Sequence, residues 1–558
     1  MILLPLVVLG ILPSCLYALS VFETAPTFQN AALVNRHGNG SYLNTLPHLQ
    51  RQLFDYAMEG LDAYYRPPFL FKSVRYSAWY AVALLARNEG NDVKTASELI
   101  RNVIKYQFKD PNALWFGTFN DSPDGPTPGA TYPPKLYTSY DLNQGLFVCT
   151  SWIIAMEEFR YMLAPDLVSL MKESMYNATV GDGYRVGGFH DDNLYPVYSN
   201  PWYMRVMSAT YVGHLTNDAN MTHWGNVWAS EAITEFDRHG TLSEYNSGTY
   251  TGVSLYALSL WGYMPKNSTI ASRAPSIITK IWEDVGFFYN PTLHSLGPPW
   301  DRAYGYDMQF YFGILGAQIT GVVGGIDDGT APIPLPLVAG GHYEDAAIIP
   351  LLPLTSKFHD KYVPKSVIAK LTAPRTEFHT AQAVSPPFES IANPRNYTMW
   401  KQAGLSAGGV QIDGNAVGGA AKNQGAFVPA SIIWDTGVEG TGVSWINLYP
   451  TSSSISATVT SSNITITYPP SISFPGNATI SNIISLAFHG IYGFDFPADF
   501  LASGSAEIPG LNLTVETNGN WTKFLYGEGT LNDQKYYNLT YTFTGQETPR
   551  FVLGFEKV

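Results

Sequence analysis

The chain has 558 residues, and 32 basic against 45 acidic side chains leave it a net charge of −13. That sign argues against a nucleic-acid binder, which needs basic surface to displace counterions from phosphates. With 14% charged and 45% hydrophobic residues the chain is not disordered, and at roughly 150 residues per domain it holds about two to four domains. Its 36 Tyr and 13 Trp suit a cleft that stacks on flat or sugar-like ligands, and they suit a large ordinary core equally well.

The first twenty residues read as a secretory signal. Met1–Tyr17 is apolar, broken by Pro5 and Pro13, and small residues at Ala18 and Ser20 fit a cleavage site, although no basic n-region precedes the run. No other apolar stretch approaches the roughly 20 residues of a spanning helix. A secreted, extracellular glycoprotein is expected, with sequons at Asn39, Asn120, Asn177, Asn220, Asn267, Asn396, Asn463, Asn477, Asn512, Asn520 and Asn538. Of the two cysteines, Cys15 falls in the signal. Cys149, in an apolar run, reads as a buried small hydrophobe rather than a catalytic thiol.

From about residue 48 to 320, apolar residues recur at helical spacing in ten segments: Leu49–Tyr64, Arg75–Arg87, Val93–Phe108, Gln144–Tyr161, Leu167–Tyr176, Pro201–Leu215, Trp224–Phe236, Gly248–Trp261, Ile270–Val285 and Ala303–Ile319. Segments that are apolar all round alternate with segments that carry a polar face. That alternation predicts a toroid of helical hairpins, inner helices ringed by outer ones; a plain helical solenoid would also alternate. Gly321–Gly341 is too rich in Gly and Pro for a helix interior. Farther on, Ile455–Thr460, Ile464–Tyr468 and Tyr536–Phe543 show period-two patterns, while Gly408–Gly425 reads as turn chemistry. The expected fold is an α+β multidomain chain: signal peptide 1–20, (α/α) toroid 21–325, linker 326–364 and antiparallel β-sandwich 365–558.

In a toroid, the loops entering the inner helices converge on one face, where helix N-termini carry partial positive charge. Five polar-aromatic segments stand there: Arg75-Tyr76, Tyr140–Asn143, Asn200–Trp202, Ser243–Asn246 and Trp300–Tyr306. Singly, each reads as a helix cap. Together they mark a candidate site.

The stretch His239–Gly252, with Glu244-Tyr245-Asn246 and Tyr250-Thr251-Gly252, resembles the Asp-Gly-Ser…His-Thr-Asn…Tyr-Thr-Gly stretch of the hyaluronate and chondroitin lyase family. Trp300–Tyr306 resembles that family's Gly-Arg-x-x-Ser-Arg segment, and Asp141-Leu142-Asn143 falls where the family carries an Asn before an inner helix. The resemblance implies a secreted helical toroid with C-terminal β-sandwich that cleaves polysaccharides. Asn143, Tyr250 and Arg302 stand at positions similar to the family's Asn, first motif Tyr and Arg. Tyr245 stands at its catalytic His, and Ser254 falls where its catalytic Tyr would be.

β-Elimination needs a neutralised uronate carboxylate and a base for the adjacent proton. Asn143, Asn246 and Arg302 are suitable neutralisers. Tyr250, Tyr245, Tyr304 and Tyr306 are candidate bases, Tyr250 first among them. Glu244 would orient Arg302 or a tyrosine, Trp202 and Trp300 would stack on sugar rings, and Arg75 would line the same cleft. Hydrolysis is the rival, with Glu244 and Asp301 as paired carboxylates and Asp141 as substitute. A non-catalytic carbohydrate-binding or cell-wall protein and a lipid- or terpenoid-processing toroid stand further off. No His-Glu-x-x-His, Gly-x-Ser-x-Gly or paired Cys-x-x-Cys occurs, so no metal or cofactor is expected to be required. A structural cation stays open at His342–Asp345 or His190–Asn193. The expected partner is an extracellular polysaccharide, with no nucleic acid and no stable membrane span, and the expected state is a monomer.

Overall fold

The structure, a computed structural model, describes residues 42–129, 134–185, 194–303, 312–333, 343–416, 427–438, 442–489, 500, 503–528, 535–545 and 547–558. The signal segment, Asn39, His190–Asn193, Tyr304, Tyr306 and His342 lie outside the described residues.

The periodic segments form α1 (His48–Tyr64), α2 (Val74–Arg87), α3 (Asp92–Lys105), α4 (Asn143–Ile154), α5 (Pro165–Gly183), α6 (Ser199–Thr216), α7 (Ala219–Asp237), α8 (Gly248–Ser259) and α9 (Thr269–Phe288), followed by the helix Gly313–Val323. Local chemistry sets several ends. Ser73, Asp218, Ser247 and Ser268 accept the first free N–H groups of α2, α7, α8 and α9. Asn88 and Asn217 close α2 and α6 in the left-handed conformation.

Helices α2, α4, α6, α8 and Gly313–Val323 pack in succession as the inner ring, and α3, α5, α7 and α9 pack outside them. The turn Tyr343–Ile348 touches both α2 and Gly313–Val323 and closes the circle. The predicted alternation is visible in burial. Every residue of α4 is buried, as is every residue of α8 except Tyr250. In α3 only Asp92, Ala96, Leu99, Ile100, Val103 and Ile104 are buried, a single stripe.

Among the described residues thirteen antiparallel strands follow, from Glu377–Ala383 to Arg550–Lys557. The strand Leu405–Asp413 is shared. Along one edge it pairs with Arg395–Gln402, and along the other it passes from Ala430–Asp435 to Ser454–Val459. One run of strands continues through Val443–Tyr449, Ile483–His489 and Lys535–Thr542 to Asn520–Glu528. The other continues through Asn463–Thr467, Arg550–Lys557 and Leu511–Thr517 to Ser505–Ile508. The runs meet where the Trp434 indole N–H donates to the Pro509 carbonyl at 2.8 Å. The chain is a helical toroid followed by an antiparallel β-sandwich.

Toroid and sandwich are joined by buried hydrogen bonds and a close backbone approach. Trp300 and Val428 exchange N–H···O bonds of 3.1 and 3.0 Å. Lys401 donates its buried ammonium to the carbonyls of Gly286 and Tyr289 at 3.0 and 3.1 Å, capping the end of α9. Gly408 approaches so closely that a Cβ there would lie 2.0 Å from the Pro298 carbonyl oxygen. Gly408 is therefore a strand residue at a close backbone approach, not part of a turn.

Helical structure also extends beyond residue 325. Leu351–Thr355 is wholly buried against the toroid, and Lys365–Thr372 buries Val367 and Leu371 near α9. The first sandwich strand starts only at Glu377. The Gly and Pro of the preceding segment break the helical spacing, so the sequence pattern does not carry the helices forward. Asp345 accepts from Arg75 and Tyr76 at 3.0 and 3.2 Å, so its segment helps close the toroid. Cys149 is buried 3.8 Å from the Thr179 hydroxyl, and burial pushes its thiol up to about 11. The Asn120 side chain is buried and donates to the Gly125 carbonyl at 3.3 Å.

Candidate functional site

Three inner helices bring their N-termini to one cluster. At α4, Asp141 accepts the Asn143 N–H at 2.8 Å, an Asx turn that orients the Asn143 amide. Asn143 donates to the Tyr198 hydroxyl at 3.2 Å, and its oxygen accepts from Arg185 at 3.0 Å. At α6, Tyr198 precedes the helix, and Asn200 in its first turn is buried. The Asn200 amide donates to Glu244 Oε2 at 3.0 Å. At α8, the Ser247 hydroxyl caps the Tyr250 N–H at 3.2 Å.

Arg302 ties these termini together. Its guanidinium lies 4.6 Å from the centre of the Tyr250 ring and 5.3 Å from that of Tyr198. Its Nη1 stands 3.3 Å from Glu244 Oε1. Cation–π contact of this kind is worth about 0.5–2 kcal/mol and strengthens as water is excluded. Arg302 adopts a left-handed backbone with φ 52°, an uncommon state for a long side chain. Burial raises the Glu244 carboxyl to about 7, with Arg302 opposing the rise and Asp301 adding to it. Asp141 is likewise raised by burial, against the pull of Arg75, the Asn143 N–H and Arg185.

Of the expected residues, the structure therefore gathers Asn143, Glu244, Tyr250 and Arg302. Other expected residues serve elsewhere. Tyr245 is buried at 3% exposure, edge-on to Tyr397 and Phe288, so it is a core residue and no base for a solvent-borne sugar. The physical cause is Asn246, whose left-handed turn (φ 56°) sends residues 245 and 250 to different environments. The Asn246 amide is satisfied by the carbonyls of Gly297 and Pro299 at 2.9 and 2.6 Å, and it is no carboxylate neutraliser. Trp202 is buried with Arg205 stacked 5.0 Å from its ring, and Trp300 is 1% exposed with its N–H on Leu296. Neither offers a face to a sugar. Asp301 receives Arg395 at 3.1 Å, which occupies one oxygen of the proposed hydrolytic pair. Arg75 is held over the rings of Tyr76, Trp79 and Phe147, and it donates to Asp345.

Three contributors escaped the sequence. Tyr198 lies two residues before Asn200, just outside the segment Asn200–Trp202 that marks the start of an inner helix. Arg185 follows an outer helix and carried no signal. It is buried and pairs with Asp182, which Arg205 also binds at 2.6 Å. Tyr137, 43% exposed, lies close enough to Tyr198, Asp141, Arg185 and Arg302 to feel their charges. Among the described residues no group of three or more His, Cys, Asp or Glu is placed to hold a metal ion. No helix among them is long and apolar enough to cross a membrane.

Fold and site define a toroid-plus-sandwich protein with a guanidinium, an amide and phenols converging at inner-helix N-termini. The chain belongs to the family described as "Domain of unknown function (DUF8769)", whose model matches residues 51–357, and residues 375–556 match "Domain of unknown function (DUF8770)". No curated protein matches it. Among solved structures, heparinase III is similar at 11% identity and TM-score 0.42, over 95% of this chain and 88% of that one. A Streptomyces coelicolor A3 chondroitin AC lyase in complex with chondroitin sulphate is similar at 9% identity and TM-score 0.39, over 91% and 79%. The heparan sulfate lyase HepC from Pedobacter heparinus shows 9% identity and TM-score 0.20, over 91% and 88%.

Proposed function

We propose that the protein cleaves a uronic-acid-containing extracellular polysaccharide by β-elimination. The observation that carries this reading is the Arg302 guanidinium stacked on Tyr250 and Tyr198, with the Asn143 amide on the Tyr198 hydroxyl. Arg302 and Asn143 supply positive and donor groups for the substrate carboxylate, which stabilises charge as it builds on that group. The ionised Tyr250 phenol takes the proton alpha to the carboxylate, and the adjacent cation favours the charged form of such a base. The C–H electron pair becomes the new C=C bond, and the bond from the β-carbon to the glycosidic oxygen breaks. The leaving oxygen then receives the proton from Tyr250, restoring the phenolate. Glu244, buried behind Arg302, orients the guanidinium without touching substrate.

One observation favours hydrolysis instead: Glu244 raised to about 7 is protonated in about half the molecules near neutrality, and a general acid needs such a proton. Its candidate partner Asp301 is engaged by Arg395. A single experiment separates the two chemistries. The protein is incubated with a panel of uronic and neutral polysaccharides, following ultraviolet absorbance of unsaturated ends and new reducing ends together. Both signals on a uronic substrate support elimination. Reducing ends without the absorbance replace it by hydrolysis, and neither signal on any glycan removes both.

A further inference from the structure

On the footing of that elimination, we infer that Arg395, a residue of the β-sandwich, is a positioning residue that holds the two toroid loops carrying Glu244 and Arg302. Arg395 opens the strand Arg395–Gln402, and its side chain is 2% exposed. Its five N–H donors meet five acceptors. Nε donates to Glu389 Oε2 at 3.0 Å. Nη1 donates to Asp301 Oδ2 at 3.1 Å and to the Tyr397 hydroxyl at 2.8 Å. Nη2 donates to the Ser385 hydroxyl at 2.9 Å and to the Ser243 carbonyl. Only a planar guanidinium presents five donors in so fixed a fork.

Two of the five acceptors belong to the toroid, and their positions matter. Ser243 immediately precedes Glu244, and Asp301 immediately precedes Arg302. The loops also touch each other, since the Asp301 N–H donates to the Tyr245 carbonyl at 3.4 Å. Arg395 thus holds the Ser243 backbone carbonyl and the Asp301 carboxylate, each one residue before a member of the Arg302–Glu244 pair. Tyr397 adds a second brace, its ring 4.8 Å from that of Tyr245. A displacement of either loop would open the 3.3 Å ion pair and carry the guanidinium off the Tyr250 ring. A misplacement of about 1 Å costs on the order of 10²-fold in rate even when its origin is remote from the chemistry. The sandwich therefore completes the site without contributing a group that touches substrate.

The test uses the full chain with Arg395→Lys, which keeps the charge and loses the fork, and with Tyr397→Phe, which keeps Arg395 and removes one acceptor. On a uronic polysaccharide that the native protein cleaves, Arg395→Lys is expected to lower kcat about 10- to 100-fold with little change in KM. Tyr397→Phe is expected to lower kcat several-fold in the same way. Because both act through Arg302, neither is expected to cost more than about two-fold in an Arg302→Lys background. Losses that multiply in the double variants, or native kcat in Tyr397→Phe, overturn the inference. If Arg395→Lys does not fold, Tyr397→Phe alone decides. Arg550→Met, which breaks an exposed pair with Glu516, serves as the control at native activity. Should the native protein cleave no glycan, the elimination fails, and infrared titration of the Glu244 carboxyl, identified by difference from Glu244→Gln, takes over. Its charged and polar neighbours are Arg302, Asp301 and Asn200. A titration moved by Tyr397→Phe upholds the positioning, and one left in place rejects it.

Discussion

The Arg302 guanidinium lies 4.6 Å from the centre of the Tyr250 ring, and it does so from a backbone with φ 52°. A left-handed non-glycine residue stores on the order of 1–3 kcal/mol and persists only where its surroundings over-determine it. Here the surroundings are Glu244 on the guanidinium, Ser247 near the Arg302 carbonyl at 3.5 Å, and Asp301 anchored to Arg395. Strain and cation–π contact thus coincide at the residue that faces the phenols.

Arg302→Lys is expected to remove about 10²- to 10³-fold in kcat while the protein stays folded. An ammonium cannot lie flat across two aromatic rings while it pairs with a carboxylate. Steady-state kinetics on the cleaved polysaccharide, with circular dichroism as the folding check, measures this.

Tyr250→Phe and Tyr245→Phe separate the two tyrosines of one segment. The first is expected to abolish proton transfer, a loss of about 10²-fold or more. The second leaves activity within a few-fold and changes stability by about 1 kcal/mol, because its hydroxyl is a buried group near Asp284. Equal kinetic losses in the two variants would refute the placement of Tyr245 in the core.

Asp284 is buried near the Tyr245 hydroxyl, and burial raises its carboxyl to about 7 against the pull of Lys280. The folded state binds this proton more tightly than the unfolded state does. Its stabilising contribution is therefore complete below the unfolded value of 3.8 and is lost as pH rises through about 7. Asp284→Asn has no proton to release, so relative to the native protein it should be more stable at about pH 8 than at about pH 5. Each tenfold change in proton affinity is worth about 1.4 kcal/mol. Thermal midpoints at the two pH values check the sign.

Gly408→Ala should weaken the joint between toroid and sandwich, since the new methyl would meet the Pro298 carbonyl at 2.0 Å. Relief requires a backbone shift costing about 1–3 kcal/mol or more. A lowered denaturation midpoint, together with reduced activity at temperatures where the protein stays folded, is the expected result.

Much of the fold is legible in the sequence because it rests on local rules. Apolar spacing separates the all-buried α4 and α8 from the striped α3, and serine and asparagine mark several helix ends. Period-two patterns locate the Ser454–Val459 and Asn463–Thr467 hairpin within a residue. The candidate site is partly legible for the same reason, since Asn143, Glu244 and Tyr250 sit at or just before helix starts that the pattern places. The tertiary structure alone decides which of these neighbours share a surface. Tyr245 and Tyr250 are five residues apart, yet a left-handed Asn246 assigns one to the core and the other to Arg302. Trp202 and Trp300 have the composition of sugar platforms, but packing buries both faces. Arg395 lies 152 residues from Ser243 and has no local signature at all. A guanidinium's five donors can be satisfied from anywhere in a chain, so only the folded molecule specifies which acceptors they find.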